Sequence, residues 1–252
     1  MVEWTAEDVE ARGVRQRGFV LAVEGRTVPG LLWTPAAAGV GARPLVAIGH
    51  GGSGDKRRPA VLSMARRLVR HHGFAALAID GPVHGDRRGD GLVGVPLVTA
   101  EFGQLWAADG EAMTDAMVAD WQAAIAAVQR LAEVGTGPLG YWGLSMGTIL
   151  GLPLVAAEPT VVAAVLGLMG MTGPTRARIA ADAPRVRCPV LFVAQWDDRL
   201  FPWTSAAALF GALGSRDKRL HAHPGEHGDV PVEELDASEA FLGRYLAAAL
   251  VG

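Results

Sequence analysis

The chain alternates short apolar runs with longer segments whose apolar residues recur every three or four positions, and this alternation predicts its layout. Runs at residues 44–49, 74–80, 139–143, 161–168 and 189–194 read as strands buried on both faces, as a parallel sheet requires. Within 55–72, Val61, Met64, Ala65, Leu68 and Val69 fall on one helical face, and within 109–134 Met113, Met117, Trp121, Ile125 and Val128 do the same. Further helices are expected over 146–157, with a kink at Pro153, and over 176–182, 202–213 and 232–250. Residues 219–223 read as a strand. Residues 19–24 and 28–33 flank Gly25-Arg26 and read as an antiparallel hairpin at the sheet edge, where Pro29 is tolerated.

Strand, helix and strand in succession form βαβ units with right-handed crossovers. The expected fold is α/β, with a mostly parallel central sheet of about eight strands and helices on both faces, in a single domain spanning residues 1–252. Residues 81–108 keep no period, yet Leu92, Val93, Val95, Leu97, Val98, Phe102 and Trp106 offer apolar surface, so this stretch reads either as a pocket wall or small lid or as a packed surface loop. The segment between the strands at 161–168 and 189–194 is too short for a large cap.

Composition narrows the function classes. Half of the 252 residues are apolar, which supports a substantial core. A net charge of −3 with scattered arginines offers no basic field, so no nucleic-acid partner is expected. Neither the acidic N-terminus nor any later apolar run resembles a membrane segment, and the chain reads as soluble and cytoplasmic, without a membrane partner. A homodimer is left open. The lone Cys188, followed by Pro189 and an apolar run, reads as a small core residue.

The candidate chemistry centres on Gly143-Leu144-Ser145-Met146-Gly147, where a strand-like run passes directly into a helical pattern. Gly-x-Ser-x-Gly at such a junction makes a strained turn that lifts the serine hydroxyl clear of the sheet, with the glycines admitting chain too close for a Cβ. A serine hydroxyl needs a base, and the base needs an orienting acid. Asp197 and Asp198 follow the strand at 189–194, and His227 follows the strand at 219–223, so all three stand where open α/β sheets build their sites. The remaining histidines read as structural: His84 in a turn, His71 and His72 at a helix C-terminus, His221 and His223 on a strand, and His50 as a support for its own loop. No metal and no cofactor are expected.

With Ser, Asp and His in this order, the chain resembles the α/β-hydrolase superfamily, and within it the small, nearly capless serine hydrolases similar to dienelactone hydrolases. The resemblance covers residues 19–250 and rests on His50-Gly51-Gly52, Gly143–Gly147, Asp198-Arg199-Leu200-Phe201-Pro202 and Gly225-Glu226-His227-Gly228. It implies an α/β-hydrolase fold and a triad of Ser145, His227 and Asp198, the acid preferred over Asp197 because it stands four residues before a proline. It also implies an oxyanion hole from the Met146 amide and the Gly52 amide, with Ser53 as the alternative to Gly52. Dienelactone hydrolases carry a cysteine nucleophile where this motif has Ser145.

The expected function is a serine hydrolase acting on small-molecule esters of small to medium acyl groups. A thioesterase, lactonase, amidase or acyltransferase would use the same residues, and a non-catalytic binding protein on this fold is the alternative from another class.

Overall fold

The strands are β1 (Glu3–Ala11), β2 (Val14–Val23), β3 (Arg26–Pro35), β4 (Leu45–Gly49), β5 (Ala75–Ile79), β6 (Leu139–Gly143), β7 (Val161–Gly167), β8 (Val190–Gln195) and β9 (Lys218–His223). The helices are α1 (Pro59–His72), α2 (Val95–Gln129), α3 (Met146–Ala157), α4 (Arg176–Asp182), α5 (Trp203–Ala212) and α6 (Glu233–Val251). The computed structural model describes residues 1–52, 54–88, 90 and 95–251. Its strands form one sheet in the order β1-β2-β3-β5-β4-β6-β7-β8-β9. From β5 through β9 every neighbouring pair is parallel, while β1, β2 and β3 are joined antiparallel and β3 runs antiparallel to β5.

Two apolar layers sandwich the sheet. On one face Val61, Met64 and Leu68 of α1 and Phe241, Leu242 and Leu246 of α6 pack on Ile48, Ala76 and Val165. On the other, α2, α3, α4 and α5 cover Leu45, Leu77, Tyr141 and Phe192. Strands β4, β5 and β6 are buried throughout, which is why they are continuous apolar runs rather than alternating ones. Helix α1 starts with Pro59 in its first turn and stops at Gly73, whose φ of 69° lets its N–H return to the Leu68 and Val69 carbonyls.

The expected hairpin forms through a tight turn at Glu24 and Gly25, both at positive φ, but it does not lie at the edge. The extra strand β1 pairs outside it, giving nine strands among the described residues where about eight were expected. β1 is exposed almost along its length, so no apolar alternation marks it. Instead it is held by polar pairs, Arg15 to Asp8 and Gln16 to Glu7, and by Arg17 lying 3.8 Å over the Trp4 ring. Pro29 is accommodated inside the sheet because its carbonyl accepts the Asp80 N–H, which puts its donor-less nitrogen on the same side, past the end of β5.

One more expectation changes. Residues 95–108 are helical, the first part of α2, which has non-helical backbone at Asp109 where φ is −162°. α3 forms over Met146–Ala157 as expected, with Pro153 inside it. Leu92 and Val93, which the sequence suggested as part of a pocket cover, lie outside the described residues, as does Ser53.

Candidate active site

The sheet order reverses between β4 and β6, since β4 is followed in the chain by its neighbour on one side, β5, and then by its neighbour on the other, β6. At the C-terminal edge of such a sheet this switch point leaves a crevice. The loops after β4, β6, β8 and β9 converge there.

Ser145 follows β6 and opens α3 with φ 59° and ψ −120°, a conformation strained for a side chain with a Cβ. What holds it there is local. A Cβ on Gly143 would stand 2.9 Å from the Gly147 carbonyl oxygen, and one on Gly147 would stand 2.8 Å from the Gly49 carbonyl oxygen, so the turn closes only with glycine at both positions. The Tyr141 hydroxyl donates to Gly147 O at 2.6 Å, and burial pushes its pKa well above the usual phenol value. Ser145 N–H donates to Gly167 O at 3.0 Å, and the Thr148 hydroxyl accepts the Gly167 N–H at 2.8 Å, pinning the turn to the end of β7.

The three residues expected to act together meet. Ser145 Oγ lies 2.8 Å from His227 Nε2, and His227 Nδ1 lies 2.7 Å from Asp198 Oδ2. An ionised carboxylate only accepts, so Nδ1 carries the proton and Nε2 is free to accept from the serine hydroxyl. The other Asp198 oxygen accepts the Leu200 and Phe201 amides at 2.8 and 2.9 Å, in the turn before Pro202. The Asp198 side chain is buried, whereas His227 keeps partial access. Asp197 points elsewhere: its Oδ2 accepts the Gly225 N–H at 3.0 Å and so ties the loop after β8 to the loop that carries His227.

The expected amide donors are neighbours. A Cβ on Gly52 would lie 3.8 Å from Met146 Cβ and Sδ, so the loop after β4 lies against the first residue of α3. Helix geometry leaves the leading N–H groups of α3 outside its own ladder. His50 braces the loop from below, with Nδ1–H donating to Gly51 O at 2.9 Å and Nε2 accepting the Gly81 N–H at 2.8 Å. Burial first, and then the adjacent His84, push its pKa down to about 4, so it remains neutral. His84 lies between the two loops, with Nδ1 2.6 Å from Pro82 O and Nε2 3.2 Å from Gly52 O.

Several supports were not legible in the sequence. Lys56, 1% exposed, pairs inside the protein with fully buried Asp80 and also reaches Asp86 at 2.7 Å. Asp80 Oδ1 accepts the Lys56 N–H at 3.0 Å, and Oδ2 accepts the Asp86 N–H at 2.8 Å. This pair joins the Gly52 loop to the loop after β5. Asp80 ends a strand and is visible as such, but nothing in the spacing marks Lys56 as its partner. His71 and His72 also do more than close α1, since both contact Glu239 of α6. Cys188 is no rival nucleophile, because burial pushes its thiol up to about 12.

Above Ser145 opens a cleft of about 940 Å³, lined mainly by apolar side chains from both helical layers. Phe102 and Trp106 of α2 form one wall, and Trp106 Nε1–H donates to Pro174 O at 3.1 Å, fixing that wall to the loop after β7. Ala60 and Ser63 of α1 and Leu235 of α6 line the opposite side. Among the described residues no helix is long and apolar enough to cross a membrane.

Comparison with known proteins agrees with this architecture. The model of the dienelactone hydrolase family matches residues 28–228. The PEG-bound complex of a novel cold-adapted esterase from an Arctic intertidal metagenomic library is 41% identical, with 97% of this chain and 99% of that one covered and a TM-score of 0.84. A zinc-bound structure described as the same kind of esterase, from the same source, is 39% identical over 97% and 99% of the two chains, with a TM-score of 0.80. A dienelactone hydrolase from Anabaena variabilis shares the fold at 20% identity, covering 95% of this chain and all of that one, with a TM-score of 0.64. No curated protein matches the sequence.

Proposed function

The chain belongs to the dienelactone hydrolase family and is a carboxylic ester hydrolase of the α/β-hydrolase fold, and on that premise we propose that it works through an acyl-enzyme formed on Ser145. The observation that carries this reading is the unbroken path from Ser145 Oγ to His227 to Asp198, at 2.8 and 2.7 Å.

In the proposed mechanism the serine oxygen attacks the ester carbonyl while His227 Nε2 takes its proton. Asp198 holds the imidazole in the required tautomer and stabilises the imidazolium. The amides of Met146 and Gly52 receive the developing oxyanion, a contribution of about 3 kcal/mol per donor to the transition state. His227 then protonates the leaving alcohol, and the same nitrogen activates the water that releases the acid. Every group the reaction needs belongs to this chain, and Ser145 supplies the nucleophile that in dienelactone hydrolases is a cysteine.

The substrates proposed are small-molecule esters of small to medium acyl groups, held in the cleft against the wall of Phe102 and Trp106. Support comes from the Trp106 hydrogen bond to Pro174, which fixes that wall in place. Two measurements test the reading. Ser145→Ala should abolish p-nitrophenyl acetate hydrolysis with an unchanged circular dichroism spectrum, and a fluorophosphonate probe should label wild type at Ser145. Turnover retained by Ser145→Ala would overturn the mechanism, and a rate rising steadily through long acyl chains would overturn the proposed substrate range.

A further inference from the structure

His221 and His223 are two residues apart on β9, so their side chains leave the strand on the same face. Both rings reach Glu234 in the first turn of α6: His221 Nδ1 lies 3.0 Å and His223 Nε2 lies 2.7 Å from the same carboxylate oxygen, Oε2. One ligand atom from each of the three residues falls within 4.8 Å of the others. The carboxylate is buried, with 3% of its side chain exposed, while the His221 and His223 rings are 38% and 25% exposed.

We propose that His221, His223 and Glu234 form a binding site for a divalent first-row transition ion of the zinc type. Two imidazole nitrogens and one carboxylate oxygen are a donor set suited to such an ion, and in a tetrahedral zinc site bonds of ~2.0–2.1 Å place ligand atoms about 3.3 Å apart. The carboxylate oxygen stands 3.0 and 2.7 Å from the two nitrogens, and all three ligand atoms lie within 4.8 Å of one another, so side-chain rotations bring them to that separation. Each neutral imidazole has one proton, which moves to the ring nitrogen facing away from the ion. A dication bound between the rings compensates the charge of the buried carboxylate. The partial exposure of both rings leaves solvent access for a water as fourth ligand.

The location gives the site a consequence. β9 ends at His223 and α6 begins at Glu233, so the ion joins the two ends of the loop that carries His227. Glu234 also lines the cleft. The ion acts as a clamp on the loop and takes no part in the chemistry at Ser145.

The test uses the full chain, dialysed against a chelator and titrated with ZnCl2 by calorimetry and with CoCl2 by visible absorption. Expected are one ion per chain, the intense visible bands of tetrahedral cobalt, and a melting temperature that rises with added zinc. His223→Ala and Glu234→Gln should each weaken binding by more than the ~10–100-fold typical of losing a supporting contact. The half-exposed His221→Asn, which threatens folding least, should weaken it as well, whereas Ser145→Ala and Asp198→Asn should bind as wild type does. Wild-type protein that takes up no ion at millimolar concentration overturns the proposal, and no variant is needed for that result. So does uptake that survives both Glu234→Gln and His221→Asn, or that is lost instead in Asp198→Asn.

Discussion

Asp197 and Gly225 exchange two hydrogen bonds of 3.0 Å each, the Asp197 N–H to Gly225 O and the Gly225 N–H to Asp197 Oδ2. The adjacent Asp198 contacts His227 itself, at 2.7 Å. Neighbouring aspartates thus divide the work: one positions the loop, the other orients the ring. Asp198→Asn should lower kcat by up to about 10⁴-fold, because an amide no longer holds the required tautomer. Asp197→Ala loses one net hydrogen bond, ~1 kcal/mol, and should cost only about fivefold. Steady-state kinetics on p-nitrophenyl acetate checks both, and equal losses would contradict the division.

The same turn that strains Ser145 makes Gly147 irreplaceable. Its missing Cβ would meet backbone, the Gly49 carbonyl oxygen at 2.8 Å and carbon at 3.1 Å, and neither can rotate away. Gly147→Ala should therefore push β4 and α3 apart, lowering the melting temperature and removing most activity. Gly211 in α5 is the control, since a Cβ there meets nothing within 4 Å. Gly211→Ala should stabilise by roughly 0.5–1 kcal/mol through the better helix propensity of alanine. Thermal melts of the two variants should shift in opposite directions.

Much of this site was legible because its signals are local. The Gly143–Gly147 turn has a shape that residue type alone enforces, and the order of strands places Asp198 and His227 at one sheet edge. Even the choice of Asp198 has a local cause, since the turn before Pro202 aims the Leu200 and Phe201 amides at its carboxylate. What escaped notice is polar or non-local. β1 has no apolar alternation because it is solvated, and residues 95–108 have no clear helical period yet form part of α2. The approach of Glu234 to His221 and His223 depends on how α6 folds back, which no spacing encodes.

His50 makes stability depend on pH. Burial, with a smaller contribution from His84, lowers its pKa from 6.5 to about 4, against the opposing hydrogen bond to Gly51. Between these values the unfolded chain binds a proton that the folded one refuses, so stability rises with pH across this window. The contribution is present above pH 6.5 and is lost as the pH falls toward about 4, by roughly 3 kcal/mol in all, at ~1.4 kcal/mol per unit. Urea unfolding of wild type and His50→Gln at several pH values measures it. The variant should be less stable at neutral pH and show a flatter decline on acidification, and parallel curves would assign the decline to other groups.

The buried pair of Lys56 and Asp80 decides whether the Gly52 loop stays in place. Their side chains are 1% and 0% exposed, so removing the ammonium leaves the Asp80 carboxylate buried without a cation beside it. Replacing Lys56 by Met keeps the volume and should cost ~3–5 kcal/mol, because the Asp80 carboxylate remains buried and uncompensated by the ammonium. The Asp80 oxygens still accept the Lys56 and Asp86 amides, which limits the collapse of the neighbouring loops. Converting Asp80 to Asn in the same chain removes the orphan charge, so the double variant should be far less destabilised than the two single changes added together. Because the pair fastens the loop after β4 to the loop after β5, Lys56→Met should also lower kcat more than it raises KM if the Gly52 amide is the transition-state donor proposed above. Urea denaturation of the three variants gives the coupling, and the kinetics of Lys56→Met gives the link to the oxyanion donor. Strictly additive losses would mean that the two residues do not act as a pair.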